Sequence, residues 1–199
     1  MTENLELRLR QRMRKARAVK FQGIGFRNVW HQFANKKDIV STKGSLKAGG
    51  RYNIATSFGV LYLSCDVHTC IKELEYAAEY DKVDIEEKLP RTFAGVKVEL
   101  TKVLDLTDAE VRRTLGVPRK ILLKTDWAKE NSKGYEAPTQ LIGRMAKEEG
   151  FEALLVPSAR WSGKNLDLLD DGNLLKRVLV VNINTLIAKK RVARMPRSK

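Results

Sequence analysis

Arg51, Tyr62 and Glu73 stand eleven residues apart, and together they offer a cation, a flat ring and a carboxylate. Arg51 follows Gly49 and Gly50. There the backbone can turn tightly, and a guanidinium can grip a phosphate or carboxylate through two parallel hydrogen bonds. Tyr62 interrupts the aliphatic run "GVLYLS", and Ser158 sits in "VPSAR", where a strand gives way to a turn. Each has a plain structural reading as well: a strand-end ion pair, core packing with a tethered hydroxyl, a turn serine. Glu73 is placed by helical geometry. At 100° per residue it shares a flank with Thr69, Tyr76 and Tyr80, whereas His68, Lys72, Glu75 and Glu79 gather on a separate charged flank. A carboxylate among aromatic rings is either a satisfied hydrogen-bond acceptor or a site acid, and the residues alone leave both open.

Other chemistries are not supported. His31, His68, Cys65 and Cys70 do not make a metal-ligand spacing, and no G-x-x-x-x-G-K-[ST] or G-x-S-x-G occurs. "GIGFRN" begins like a dinucleotide-binding turn but carries Asn28 where the third glycine belongs. Five residues apart, Cys65 and Cys70 suit reduced, partly buried thiols better than a disulfide.

The elements that must position these side chains are legible in part. Residues 4–18, alternating leucine with arginine, predict a basic amphipathic helix, and 59–64 predicts a buried strand. Asp66 can cap a helix running to about Tyr80, whose apolar face would hold Val67, Cys70, Ile71, Leu74 and Ala78. Residues 92–106 read as one or two strands. Thr107 with Glu110 suggests a capping box, with Gly116 and Pro118 as the stop. Pro138 suits the first turn of a helix over 138–149, with Leu141, Ile142 and Met145 on one face. Strands are expected at 151–158, 165–169 and 176–184. They cluster without strict βαβα alternation, so the fold class is α+β, in a single domain.

At 199 residues and 43% hydrophobic, the chain can bury one good core. No apolar run approaches 18 residues and no signal-peptide core follows Met1, so a cytoplasmic protein without a membrane span is expected. Net charge is +14, with +5 in residues 1–20, +6 in 188–199 and +3 between them. The organisation expected is a basic helical segment (1–20), a domain (21–187) and a basic tail (188–199). Basic ends read first as solvated arms and second as contacts for an acidic partner or nucleic acid.

Taken in order, "GGRYN", "LYLS", "HTCIKE" and "EALLVPSARWSGKNLDLL" resemble the RES-domain family, named for an Arg, a Glu and a Ser. The likeness covers about residues 25–185. The interval from Thr69 to Glu73 matches the family's T-x-x-x-E helix and so selects Glu73 over Glu75. The first family arginine corresponds to Arg27, followed here by Asn28 where an aromatic is usual. The resemblance implies an ADP-ribosyltransferase-like fold, two small split sheets flanking an NAD cleft, with NAD as substrate and no metal. It implies a toxin partnered by an antitoxin with an Xre-like helix-turn-helix domain; a homodimer stays open. Glu73 would stabilise the sugar cation, and Arg51 and Arg27 would clamp the pyrophosphate or adjoining ribose. Tyr62 with Tyr52 would bound the nicotinamide, Ser158 would orient an arginine or the substrate, and Asn165 would contact NAD. Two competing readings are a basic nucleic-acid-binding module, indifferent to Glu73, and an interaction protein with an inactive cleft.

Overall fold

The computed structural model describes residues 2–186. It opens with helix α1 (Thr2–Lys15) and the long strand β1 (Ala18–Trp30), followed by short helices α2 (Lys36–Ile39) and α3 (Lys43–Ala48). Strand β2 (Val60–Ser64) leads to helix α4 (Val67–Asp81). Strand β3 (Arg91–Asp105) leads to helices α5 (Ala109–Leu115), α6 (Arg119–Lys124), α7 (Trp127–Ser132) and α8 (Pro138–Glu148). Strands β4 (Ala153–Pro157), β5 (Lys164–Leu169) and β6 (Val178–Leu186) follow. The α+β expectation holds.

The strands run β1-β2-β5-β4-β3, and β3 pairs back onto β1, closing a ring of five with β6 added outside β3. One hydrogen-bonded ring therefore stands where a pair of split sheets was expected. Its closure rests on the length of β3, which holds β1 along one edge while its other edge takes β6 at one end and β4 at the other. Having committed its length to β3, β1 meets β2 at a single pair, Phe26 with Ser64. Gly25 permits that approach, because a Cβ there would stand 2.8 Å from Leu63. With glycines at 23 and 25, β1 lacks the unbroken apolar alternation of a strand, and it is the one long element that the sequence pattern does not reveal.

Two apolar layers follow from strand alternation. Leu61, Leu63, Val96, Val98, Leu166 and Leu168 fill one cluster, each pair two residues apart on its own strand. Val60, Leu154, Val156 and Leu169 face the other way, against α1, α5, α6 and α8. Because both faces are buried, β2 and β4 read as continuous apolar runs. In α1, Leu9 and Met13 are buried in the second cluster, and Arg10 and Arg14 pair with Glu148 and Glu149 at the end of α8. The basic N-terminal segment is therefore a docked helix rather than a solvated arm; the basic tail 188–199 lies outside the described residues.

Two local expectations shift. Helix α5 is capped by Asp108, which accepts from the Glu110 N–H, while the Thr107 hydroxyl donates to Asp105. Helix α4 is capped by Asp66 as expected, but it buries Thr69, Cys70, Leu74 and Ala78 and leaves Val67 and Ile71 exposed. The turn after β4 presses on Thr69, whose hydroxyl would lie 1.9 Å from a Cβ on Gly163, and this rotates the buried face towards Glu73. Among the described residues no helix is long and apolar enough to cross a membrane.

Candidate active site

A cavity of about 740 Å³ opens where β1 and β2 barely touch. Its walls come from β1 (Arg27, Asn28), the Gly50–Tyr52 turn, β2 (Tyr62), α4 (Glu73, Tyr76) and β5 (Asn165, Asp167), with the α6–α7 connection closing one side.

The turn "GGRYN" is a socket for Tyr62. Gly49 has φ of 74°, open to glycine at low cost, and a Cβ on Gly50 would lie 2.5 Å from the Tyr62 hydroxyl. That hydroxyl accepts from the Tyr52 N–H (3.1 Å) and donates to Asn53 Oδ1 (2.9 Å). Asn53, fully buried, donates onward to the Ser45 and Phe58 carbonyls. From below, Gln140 on α8 donates to the carbonyls of Gly50 and Asn53. Burial holds the Tyr62 phenol well above its usual pKa, so it is a neutral ring with its polar end spent on the fold.

Both arginines are anchored by helix ends. Arg51 Nη1 donates to the carbonyls of Leu122 and Thr125, at the end of α6, and Arg27 Nη1 donates to those of Ile39 and Ser41, at the end of α2. Terminal helix carbonyls need such donors. The anchoring spends one nitrogen of each guanidinium and leaves the rest on the cavity wall.

Glu73 is held, not loose. Its Oε1 accepts from the Ser158 hydroxyl (2.8 Å) and from Asn165 Nδ2 (2.9 Å). The Ser158 oxygen in turn accepts from the N–H groups of Arg160 (3.1 Å) and Trp161 (3.2 Å). With its proton given to Glu73 and both lone pairs filled, Ser158 is 3% exposed and is a positioning group for the carboxylate. The same holds for Asn165. Tyr52 departs from expectation more plainly: it is 1% exposed and packed in the apolar cluster under α8, so of the two tyrosines Tyr62 is the part-exposed one. Cys70 also lines the cavity, but burial pushes its thiol up to about 11, which removes a thiolate nucleophile at neutral pH.

Three wall residues were not read as site residues. Asn28 donates to the Cys70 carbonyl and ties β1 to α4. Arg160, in the quoted "PSAR", stacks over Tyr76 at 3.2 Å from the ring centroid. Asp167 pairs across the sheet with Tyr62, two residues from Asn165 on the same face, and that parity in "NLDLL" was the available signal. Asp167 is 2% exposed and its Oδ1 has no hydrogen-bond partner among the described residues. Burial, reinforced by the charge of Glu73, raises its pKa well above the usual 3.8. Folded Asp167 therefore keeps its proton at pH values where the unfolded chain has lost it, and stability falls as pH rises from about 4. Asp167→Asn is expected to melt higher than the parent at neutral pH, by about 2–4 °C per kcal/mol relieved. The gain should vanish near pH 3. Melting curves across pH check this; a difference independent of pH would refute it.

The profile of one family, the RES domain, matches residues 25–186. NAD(+) phosphorylase MbcT of Mycobacterium tuberculosis and of Mycobacterium bovis is 27% identical over 125 residues, 62% of this chain and 62% of the relative. A second M. tuberculosis protein, named "Probable NAD(+) phosphorylase Rv3189", is 33% identical over 134 residues, 67% of this chain and 59% of that one. The matched region thus spans about three-fifths of each relative's length. A crystal structure of the M. tuberculosis MbcT–MbcA toxin–antitoxin complex has the same fold, with a TM-score of 0.75 at 22% identity, over 92% of this chain and 94% of that one.

Proposed function

The chain belongs to the RES domain family, and from that premise we propose that it cleaves the nicotinamide–ribose bond of NAD and passes the ADP-ribosyl group to inorganic phosphate. The observation that carries this is the Glu73 carboxylate, clamped through one oxygen by Ser158 and Asn165 on the wall of a cavity that also presents Arg27 and Arg51.

The chemistry asks for little else. The C1′–N bond breaks with its electron pair going to the nicotinamide nitrogen, which is cationic in NAD and leaves neutral, so no acid is required. The ribosyl group is left oxocarbenium-like, and a fixed carboxylate stabilises that charge. Arg27 and Arg51 offer donors to the diphosphate, and Tyr62 gives a flat, neutral wall for the nicotinamide ring. A deprotonated oxygen of the phosphate dianion then forms the C1′–O bond, giving ADP-ribose 1″-phosphate without a base. Phosphate is the acceptor in this reading because the relatives named above are NAD(+) phosphorylases. The splayed β1–β2 seam is read as the counterpart of the cleft between sheets in ADP-ribosyltransferase-like folds. Toxin activity in the cytoplasm, held in check by an antitoxin with an Xre-like helix-turn-helix domain, belongs to the same reading. The nucleic-acid alternative loses ground, since Arg10 and Arg14 are already paired within the fold.

The test is incubation of inhibitor-free protein with NAD, with and without inorganic phosphate, followed by chromatography. Nicotinamide and ADP-ribose 1″-phosphate are expected. No nicotinamide from folded protein would overturn the enzymatic reading, and nicotinamide with free ADP-ribose alone would replace phosphate by water.

A further inference from the structure

Resting on the phosphorylase reading, we propose that Arg160 is the residue that receives the acceptor phosphate, distinct from the arginines that face the dinucleotide. Three arginines line the cavity, and they are not equivalent. Arg27 and Arg51 each spend a nitrogen on two backbone carbonyls. The Arg160 guanidinium makes no hydrogen bond or ion pair among the described residues; it lies on the face of Tyr76, 3.2 Å from the centroid. A cation stacked on a ring keeps its in-plane N–H donors directed outward, in the fork that matches a phosphate.

Its place is set by the site acid. The Arg160 N–H donates to the Ser158 hydroxyl, which donates to Glu73, while Tyr76 lies one helical turn beyond Glu73 on α4. The next residue pins the loop from outside: the Trp161 ring packs at a tilt against His68 (4.8 Å between centroids), and Lys72 lies over it at 5.3 Å. The guanidinium is thus held on the Glu73 side of the cavity.

That side has an electrostatic problem that an anionic acceptor would meet and water would not. A phosphate dianion attacking the sugar must approach a carboxylate of its own sign, and a cation beside that carboxylate offsets the repulsion. Burial lowers the pKa of Arg160, with Tyr76, Glu73 and Asp126 opposing and Arg51 adding to the shift. A part-desolvated guanidinium lacking an acceptor gains most from binding an anion.

The experiment varies inorganic phosphate at saturating NAD, and NAD at saturating phosphate, for the parent, Arg160→Gln and Arg160→Lys, and measures both products. Arg160→Gln is expected to raise the KM for phosphate about ten- to a hundredfold. The KM for NAD should stay within a few-fold, with product shifting from ADP-ribose 1″-phosphate to ADP-ribose. Arg160→Lys should recover part of the phosphate affinity. Independently of turnover, millimolar inorganic phosphate should raise the Tm of the parent more than that of Arg160→Gln. An unchanged KM for phosphate, an equal rise in Tm, or a raised KM for NAD alone would overturn the assignment, the last by giving Arg160 to the diphosphate of NAD. If the parent cleaves NAD without regard to phosphate, the phosphorylase reading itself has failed; if the parent needs phosphate and Arg160→Gln uses it equally well, Arg160 alone has been misassigned.

Discussion

Glu73→Gln is expected to lower the rate of NAD cleavage by about a hundredfold or more, the usual cost of losing one fixed charge or donor that faces the transition state. The substitution keeps the size of the side chain, and its amide oxygen can still accept from Ser158 and Asn165, the partners of Oε1 in the parent. What disappears is the negative charge. The control is two residues away: Glu75 is paired with Lys72 at 2.7 Å, with their side chains 42% and 31% exposed. A surface pair of this kind contributes about 0–1 kcal/mol, so Glu75→Gln should retain turnover within a few-fold. Both variants should melt within a few degrees of the parent, which separates chemistry from folding. Turnover lost in Glu75→Gln and kept in Glu73→Gln would show that α4 presents a different carboxylate to the reaction.

A single methyl group at Gly143 should do comparable damage by another route. Gly143 and Gln140 lie one turn apart on α8, and both seat the turn that carries Arg51. Gln140 binds the carbonyls of Gly50 and Asn53, and a Cβ on Gly143 would stand 1.9 Å from the Tyr52 carbonyl oxygen and 2.8 Å from its carbon. Ala is the better helix former by about 1 kcal/mol. The clash is with backbone, which cannot rotate away, so overpacking at about 3 kcal/mol should win. Gly143→Ala is therefore expected to lower Tm by roughly 4–8 °C, the net loss of about 2 kcal/mol read at this chain length. Displacing the Arg51 turn by the order of 1 Å should reduce turnover about a hundredfold even in the molecules that remain folded. Calorimetry and initial rates measured below the transition separate the two effects. A variant with parental Tm and rate would mean that α8 does not hold the turn.

Short-range signals carried much of the site. The helical flank of Glu73, the glycine pair before Arg51, the cap at Asp66 and the proline opening α8 are each written within one or two turns of chain, and each stands where it was expected. The family motifs then named Ser158 and Asn165 as site residues without giving them a partner in Glu73, and the structure brings both onto one of its oxygens. Their role differs from the one expected, since Ser158 holds the carboxylate rather than an arginine or substrate. Tyr52 and Tyr62 were read as a pair, and both border the cavity, but Tyr52 is buried in the core while Tyr62 stays part-exposed, its hydroxyl held by the Tyr52 N–H.

What the sequence by itself determined is a set of local geometries: the strands β2 and β4 and the helices α1, α4 and α8, which flank of α4 carries the acid, and the turn before Arg51. Such properties depend on residues a few positions apart, and period and capping chemistry record them directly. Only the tertiary structure decided the closure of the ring, the docking of α1 through Leu9 and Met13, the strand built around Gly23 and Gly25, and the company of Asp167 and Arg160. These rest on contacts between residues tens of positions apart. A glycine that looks like a broken strand becomes an asset once Leu63 fills the space above it, and a stray aspartate between leucines becomes a site wall once Tyr62 pairs with it across the sheet.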